Sequence, residues 1–167
     1  MTEWNRHLIN LSGISLRRVQ LGAMSTVLLV VMWQPLSAWA SCSFTSVTDV
    51  GFGTYNVFDT LPNTSGVGSI TIRCQGVSGN AYDVTLSTGQ SHSYASRVMK
   101  SGANSLTYNI YTSASRSIVW GDGSGGSNKQ TVYKNSTTTL SLFGQIPAGQ
   151  DVANGTYTDN LIATVSF

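Results

Sequence analysis

The chain has 167 residues, carries a formal net charge of +2 and contains two cysteines. That length suits one ordinary domain and is short for two. The positive balance belongs to the N-terminal end: Arg6, Arg17, Arg18 and Glu3 lie within the first 40 residues, and the remainder holds six basic and six acidic residues. A neutral remainder has no basic stripe to neutralise phosphates, which argues against nucleic acid as a partner.

In chain order the first element is a leader. Arg17 and Arg18 precede an uncharged apolar run, Leu21 to Trp33, followed by Ala38-Trp39-Ala40. The run is about a dozen residues, whereas a membrane-spanning helix needs roughly 20. A basic region, a short apolar stretch and a small-x-small end predict a secretory signal peptide over 1–40, cut after Ala40, with residues 41–167 forming the mature domain. The alternative is an uncleaved membrane anchor.

Beyond the leader the sequence predicts short strands between turn signals. Ile70, Ile72 and Cys74 alternate with Thr71 and Arg73. The same period of two runs through Tyr82–Leu86, Leu106–Tyr111 and Leu140–Gly144, and through a terminal strand over Tyr157–Phe167. Alternation with β-branched and aromatic residues is the strand signature. Turns fall at Pro62-Asn63, Ser78-Gly79-Asn80, Thr88-Gly89-Gln90, Gly121–Gly126, Pro147-Ala148-Gly149 and Asn154-Gly155. No 3.6-residue period stands out, so the fold class is all-β, an antiparallel sandwich. Cys42 and Cys74 after a leader imply one disulfide in an oxidising compartment, the alternative being two buried free thiols. A terminal strand running to Phe167 presents an open edge, which proteins generally avoid unless something pairs with it.

Candidate chemistry is sparse. The mature part has one histidine, no glutamate and six scattered aspartates. His92 lies in Ser91-His92-Ser93, a polar stretch that reads as solvated loop rather than part of a triad. Gly121-Asp122-Gly123-Ser124-Gly125-Gly126-Ser127 lacks the Gly-Lys-Ser/Thr of a phosphate loop and the alternating carboxylates of a calcium loop, and reads as a flexible connection. Neither an enzyme nor a cofactor or metal centre is expected.

An ordered series of short motifs carries a family resemblance. Cys42 is followed by Val50-Gly51-Phe52-Gly53-Thr54-Tyr55, then Ile70-Thr71-Ile72-Arg73-Cys74. Next come Tyr82–Gly89, Arg97-Val98-Met99 and Leu106–Tyr111. Trp120-Gly121-Asp122-Gly123, Phe143–Gln150 and Gly155-Thr156-Tyr157-Thr158-Asp159 complete it. In this series the chain resembles the spore coat protein U domain, the pilin domain of archaic (Csu-type) chaperone–usher pili. The resemblance implies an incomplete immunoglobulin-like β-sandwich completed by a donor strand, and a surface pilus or coat subunit that supports adhesion and biofilm formation. It implies a periplasmic chaperone, an outer-membrane usher and neighbouring pilin subunits as partners, with export through the periplasm to the cell surface. By the same resemblance Leu161, Ala163, Val165 and Phe167 flank the donor groove, and the disulfide fastens the first strand beside Ile70–Cys74. Cleavage after Ala40 leaves only Ser41 ahead of Cys42, so the subunit is expected to receive a strand without having one to give, as at a tip or initiating position. The alternative function is a secreted single-domain adhesin or carbohydrate-binding module acting through loops such as Ser87–Ser96 and Gly121–Lys129.

Overall fold

A computed structural model describes residues 41–76 and 79–166. The leader, the Ser78 end of one turn and Phe167 lie outside the described residues. No helix among the described residues is long and apolar enough to cross a membrane.

The described chain forms β1 (Ser41–Gly51), β2 (Val67–Gln75), β3 (Ala81–Leu86), β4 (Arg97–Ser101), β5 (Asn104–Tyr111), β6 (Gln130–Tyr133), β7 (Thr137–Gln145) and β8 (Ala163–Ser166). A single turn of 3-10 helix, Gly89–Ser91, sits between β3 and β4. The strands build two antiparallel sheets, one in the order β1-β2-β7-β5-β4 and one in the order β6-β3-β8.

Alternation explains the core. Ile70, Ile72 and Cys74 of β2 point the same way and are buried, as are Tyr82, Val84 and Leu86 of β3, Leu106, Tyr108 and Ile110 of β5, and Leu140 and Leu142 of β7. Side chains two apart share one face of a strand, so each sheet presents one apolar face, and the two faces form one cluster. Burying each aliphatic side chain is worth roughly 1.5–3 kcal/mol. Trp120 is fully buried in the same cluster, and its indole N–H donates to the Val84 carbonyl at 3.0 Å.

The end of β1 folds over its own sheet. Phe52 stacks edge-on against Tyr108, with ring centroids 5.8 Å apart. Its ring lies where side chains on Gly66 and Gly144 would otherwise stand: a Cβ at Gly66 would come within 2.6 Å of Phe52 Cε1, and one at Gly144 would overlap the same ring. Val50 leans on the same pair and on Gly68. The glycines thus form a notch that the Val50-Gly51-Phe52 motif fills.

The terminal strand is shorter than the sequence predicts. Only Ala163–Ser166 is a strand, rather than the whole of Tyr157–Phe167. Thr158 instead bridges Lys100 on the free side of β4, its N–H donating at 3.0 Å and its carbonyl accepting at 2.8 Å. The chain then crosses to the other sheet, where the Ile162 carbonyl accepts from the Ser87 N–H at 2.9 Å and β8 pairs with β3. Tertiary partners in both sheets outweigh the local alternation.

Candidate functional site

The edge formed by β8 is where the burial pattern breaks. Val165 pairs with Val84 and Ala163 with Leu86. Val84 and Leu86 are 0% and 2% exposed, yet Ala163 and Val165, packed against the same core, are only partly buried, as is Leu161. Among the described residues, β8 pairs with β3 alone, so the outer row of its backbone N–H and C=O groups has no ladder. An apolar face uncovered along an unpaired strand edge is the geometry to which another strand adds. Of the four residues that the resemblance assigns to a donor groove, Ala163 and Val165 lie in β8 and Leu161 just before it, all three partly buried, and Phe167 falls outside the described residues.

β1 shows the same break at the far end of the larger sheet. Cys42 and Phe44 are partly buried, whereas their partners across the ladder, Cys74 and Ile72, are 1% and 0% exposed. The Cys42 and Cys74 sulfurs are bonded at 2.07 Å, tying this edge strand to its interior neighbour.

The base of β8 is held by a polar cluster. The Asp159 carboxylate accepts from the Tyr108 hydroxyl at 2.7 Å, the Gln90 N–H at 3.1 Å and its neighbour's N–H, Asn160, at 2.8 Å. Burial and then the Asp159 hydrogen bond push the Tyr108 phenol well above its ordinary value. Next to it, Arg97 is fully buried. Its guanidinium donates to the Ser87 carbonyl at 2.8 and 3.0 Å, to the Trp120 carbonyl at 2.7 Å and to Asn109 Oδ1 at 2.7 Å. Tyr94 covers it, with the ring centroid 5.3 Å away. Burial lowers the affinity of Arg97 for its proton, and four charge-assisted hydrogen bonds offset the desolvation. Composition marks Arg97 as a surface residue; only the backbone carbonyls aimed at it from distant segments make it a core one.

His92, unassigned by the sequence to any chemistry, is exposed and adopts a left-handed backbone with φ 57°. The glycine-rich segment is less loose than its composition predicts. Ser127 is 2% exposed; its hydroxyl donates to the Ser124 carbonyl at 2.7 Å and accepts from the Gly123 N–H at 3.3 Å. Asp122 Oδ1 accepts from Ser124 N–H and Oγ at 2.8 and 2.6 Å, and these bonds hold its carboxyl below the usual range. Among the described residues, no three His, Cys, Asp or Glu side chains gather into a metal-binding group.

Residues 26–164 match the Spore Coat Protein U domain family, a span that begins inside the segment read as a leader. Protein U of Myxococcus xanthus is 29% identical over 110 residues, covering 61% of this chain; the chain spans 60% of the length of that curated relative. Among solved structures, a chaperone–tip adhesion subunit pre-assembly complex from archaic chaperone–usher Csu pili of Acinetobacter baumannii is similar at a TM-score of 0.45 and 24% identity, over 76% of this chain and 39% of that one. With most of its described β-domain inside the matched span, the chain belongs to the Spore Coat Protein U domain family.

Proposed function

We propose that this chain is a structural subunit of a chaperone–usher surface pilus or coat, assembled by donor-strand complementation. The observation that carries the reading is the β8 edge: partly buried Leu161, Ala163 and Val165 beside fully buried Val84 and Leu86, along a strand with one unpaired side among the described residues. A donor strand laid there gains a backbone ladder for register, while its alternate apolar side chains cover the exposed part of the core. The periplasmic chaperone supplies that strand first and a neighbouring pilin replaces it at the outer-membrane usher. Adhesion and biofilm support follow from display on the surface. Family membership supports the same assignment, and a structural rather than enzymatic role.

Periplasmic expression with and without the cognate chaperone tests this. Stable protein is expected with the chaperone, and degraded or aggregated protein without it. Val165→Asp, which places a charge in the groove margin, is expected to abolish the chaperone complex. Equal yields of stable monomer in both conditions would overturn the incomplete-fold reading. Within this proposal, cleavage after Ala40 makes the subunit a receiver of strands. Sequencing of the exported N-terminus checks that position, which is lost if ten or more residues precede Cys42 (a donor length on the order of one strand).

A further inference from the structure

A depression of about 490 Å³ opens between the 3-10 turn and the glycine-rich loop, away from Leu161, Ala163 and Val165. Its lining includes Ser87, Thr88, His92, Ser93 and Tyr94 from the one segment and Asp122 and Ser124 from the other. The volume falls within the roughly 300–1,000 Å³ of small-molecule sites. We propose that this depression binds an uncharged saccharide.

The lining selects the ligand class. It offers aliphatic hydroxyls, an imidazole, a phenol and one carboxylate, and no lysine or arginine. Arg97, behind the Tyr94 ring, is fully buried, and Lys129 is paired with Asp83. An anion therefore meets Asp122 without a counter-charge, and an apolar molecule would strand the polar groups around it. A neutral polyol satisfies both requirements. Its hydroxyls donate to Asp122, a carboxylate that already accepts from Ser124 and from the Tyr94 hydroxyl and has lone pairs to spare, and exchange hydrogen bonds with Thr88, Ser93 and Ser124. A sugar ring also presents C–H groups to the Tyr94 face.

Both sides are fixed before any ligand arrives. The Ser91 hydroxyl shares its one hydrogen between the Thr88 and Ser93 carbonyls, each at 3.0 Å, and accepts from the Ser93 N–H at 3.1 Å. In the glycine-rich loop Ser127 ties down Gly123 and Ser124, and Arg97 holds the Tyr94 ring. A site whose walls are already ordered loses little conformational entropy on binding, which favours ligands that make individually weak contacts. The ionised state of Asp122, favoured by its Ser124 bonds, keeps it a hydrogen-bond acceptor at neutral pH.

The test uses the full chain in its chaperone-stabilised form, with saturation-transfer NMR. The probes are methyl glycosides of glucose, galactose and mannose, beside a sulfated heparin disaccharide. At least one neutral glycoside is expected to bind at millimolar concentration, and the sulfated probe is not. Asp122→Asn preserves the acceptor for Ser124 and removes the charge; it is expected to weaken binding at least tenfold. Tyr94→Ala is expected to abolish binding, and Asp151→Asn, on an exposed loop, to leave it unchanged. Circular dichroism and thermal midpoints confirm that the variants fold. The proposal is overturned if no neutral glycoside binds, if the sulfated probe binds better, or if folded Asp122→Asn binds like the parent. Chaperone capture is measured separately, so failure here leaves the assembly reading standing, and the converse also holds.

Discussion

Opening the Cys42–Cys74 bond should release β1 more than any other strand. The crosslink closes a loop with a sequence separation of 32. In the chain-entropy treatment, a loop of that length removes about 12.5 cal/mol/K from the unfolded ensemble, or about 3.7 kcal/mol at 25 °C. This corresponds to a roughly 500-fold change in the folding equilibrium. Reduction is a cleaner perturbation than substitution, because Cys74 is 1% exposed and truncating it would add a cavity cost. The assay is urea denaturation of the oxidised and reduced chain with the same donor strand bound, combined with hydrogen exchange. β1 has a hydrogen-bond ladder with β2 alone among the described strands, so its amides should gain exchange first. A reduction effect below about 1 kcal/mol, well short of the chain-entropy figure, with β1 exchanging no faster than β7, would refute the idea that the bond tethers an otherwise weakly held edge.

Other perturbations probe the polar cluster under β8. Gly89 has φ +63°, and a Cβ there would overlap the Asp159 carboxylate; Gly89→Ala should cost roughly 2–3 kcal/mol from backbone strain and lost hydrogen bonds. Gly102→Ala, at φ +58° with open space around it, isolates the backbone part at about 1 kcal/mol, so equal denaturation midpoints for the two variants would remove the steric explanation. Arg97→Met leaves the Ser87 and Trp120 carbonyls without their donor and should cost about 3 kcal/mol or more, read from the same denaturation curves. The Tyr108 phenol is raised in the folded state, chiefly by burial, so the folded protein holds that proton more tightly than the unfolded chain. The resulting stability is complete below the unfolded value near pH 10 and is lost as pH rises beyond it. Tyr108→Phe should flatten the alkaline limb of a stability–pH curve while leaving its shape below about pH 9 unchanged.

Strands with one buried face were legible from the residues. β2, β3 and β7 alternate cleanly because every second side chain enters the core, and β5 does so except at Asn109, which is buried on the opposite parity. β1 hides this period: bulges between Phe44 and Ser46 and between Thr48 and Gly51 reset its parity, and many of its residues are Ser or Thr. β6 spans four residues and buries only Val132, too little for a pattern. β4 begins on a buried arginine, and composition assigns an arginine to solvent. The carbonyls that reverse that assignment come from Ser87 and Trp120, 10 and 23 residues away, which no local period encodes. The same limit shortened the terminal strand. Thr158 answers to Lys100 and Asp159 to Tyr108, partners known only once the sheets are assembled. Along the segment entering β8, alternation placed Leu161, Ala163 and Val165 on one parity, and their partial burial emerged only from the fold. The ordering of the glycine-rich loop was invisible as well, because it rests on buried Ser127 and on the Asp122–Ser124 bonds, which composition does not reveal.

The crossing of the chain from the β4 edge to β8 has a mechanical meaning if such subunits are strung into a fibre. A neighbour's strand on β8 would apply tension along that strand, loading its hydrogen bonds in shear. Immediately before β8 the chain is pinned to the opposite sheet through Thr158 and Lys100, and to β5 through Asp159 and Tyr108. Force entering at the last strand is therefore shared between the two layers within a few residues. Pulling would have to slide both sheets together rather than peel one short strand away.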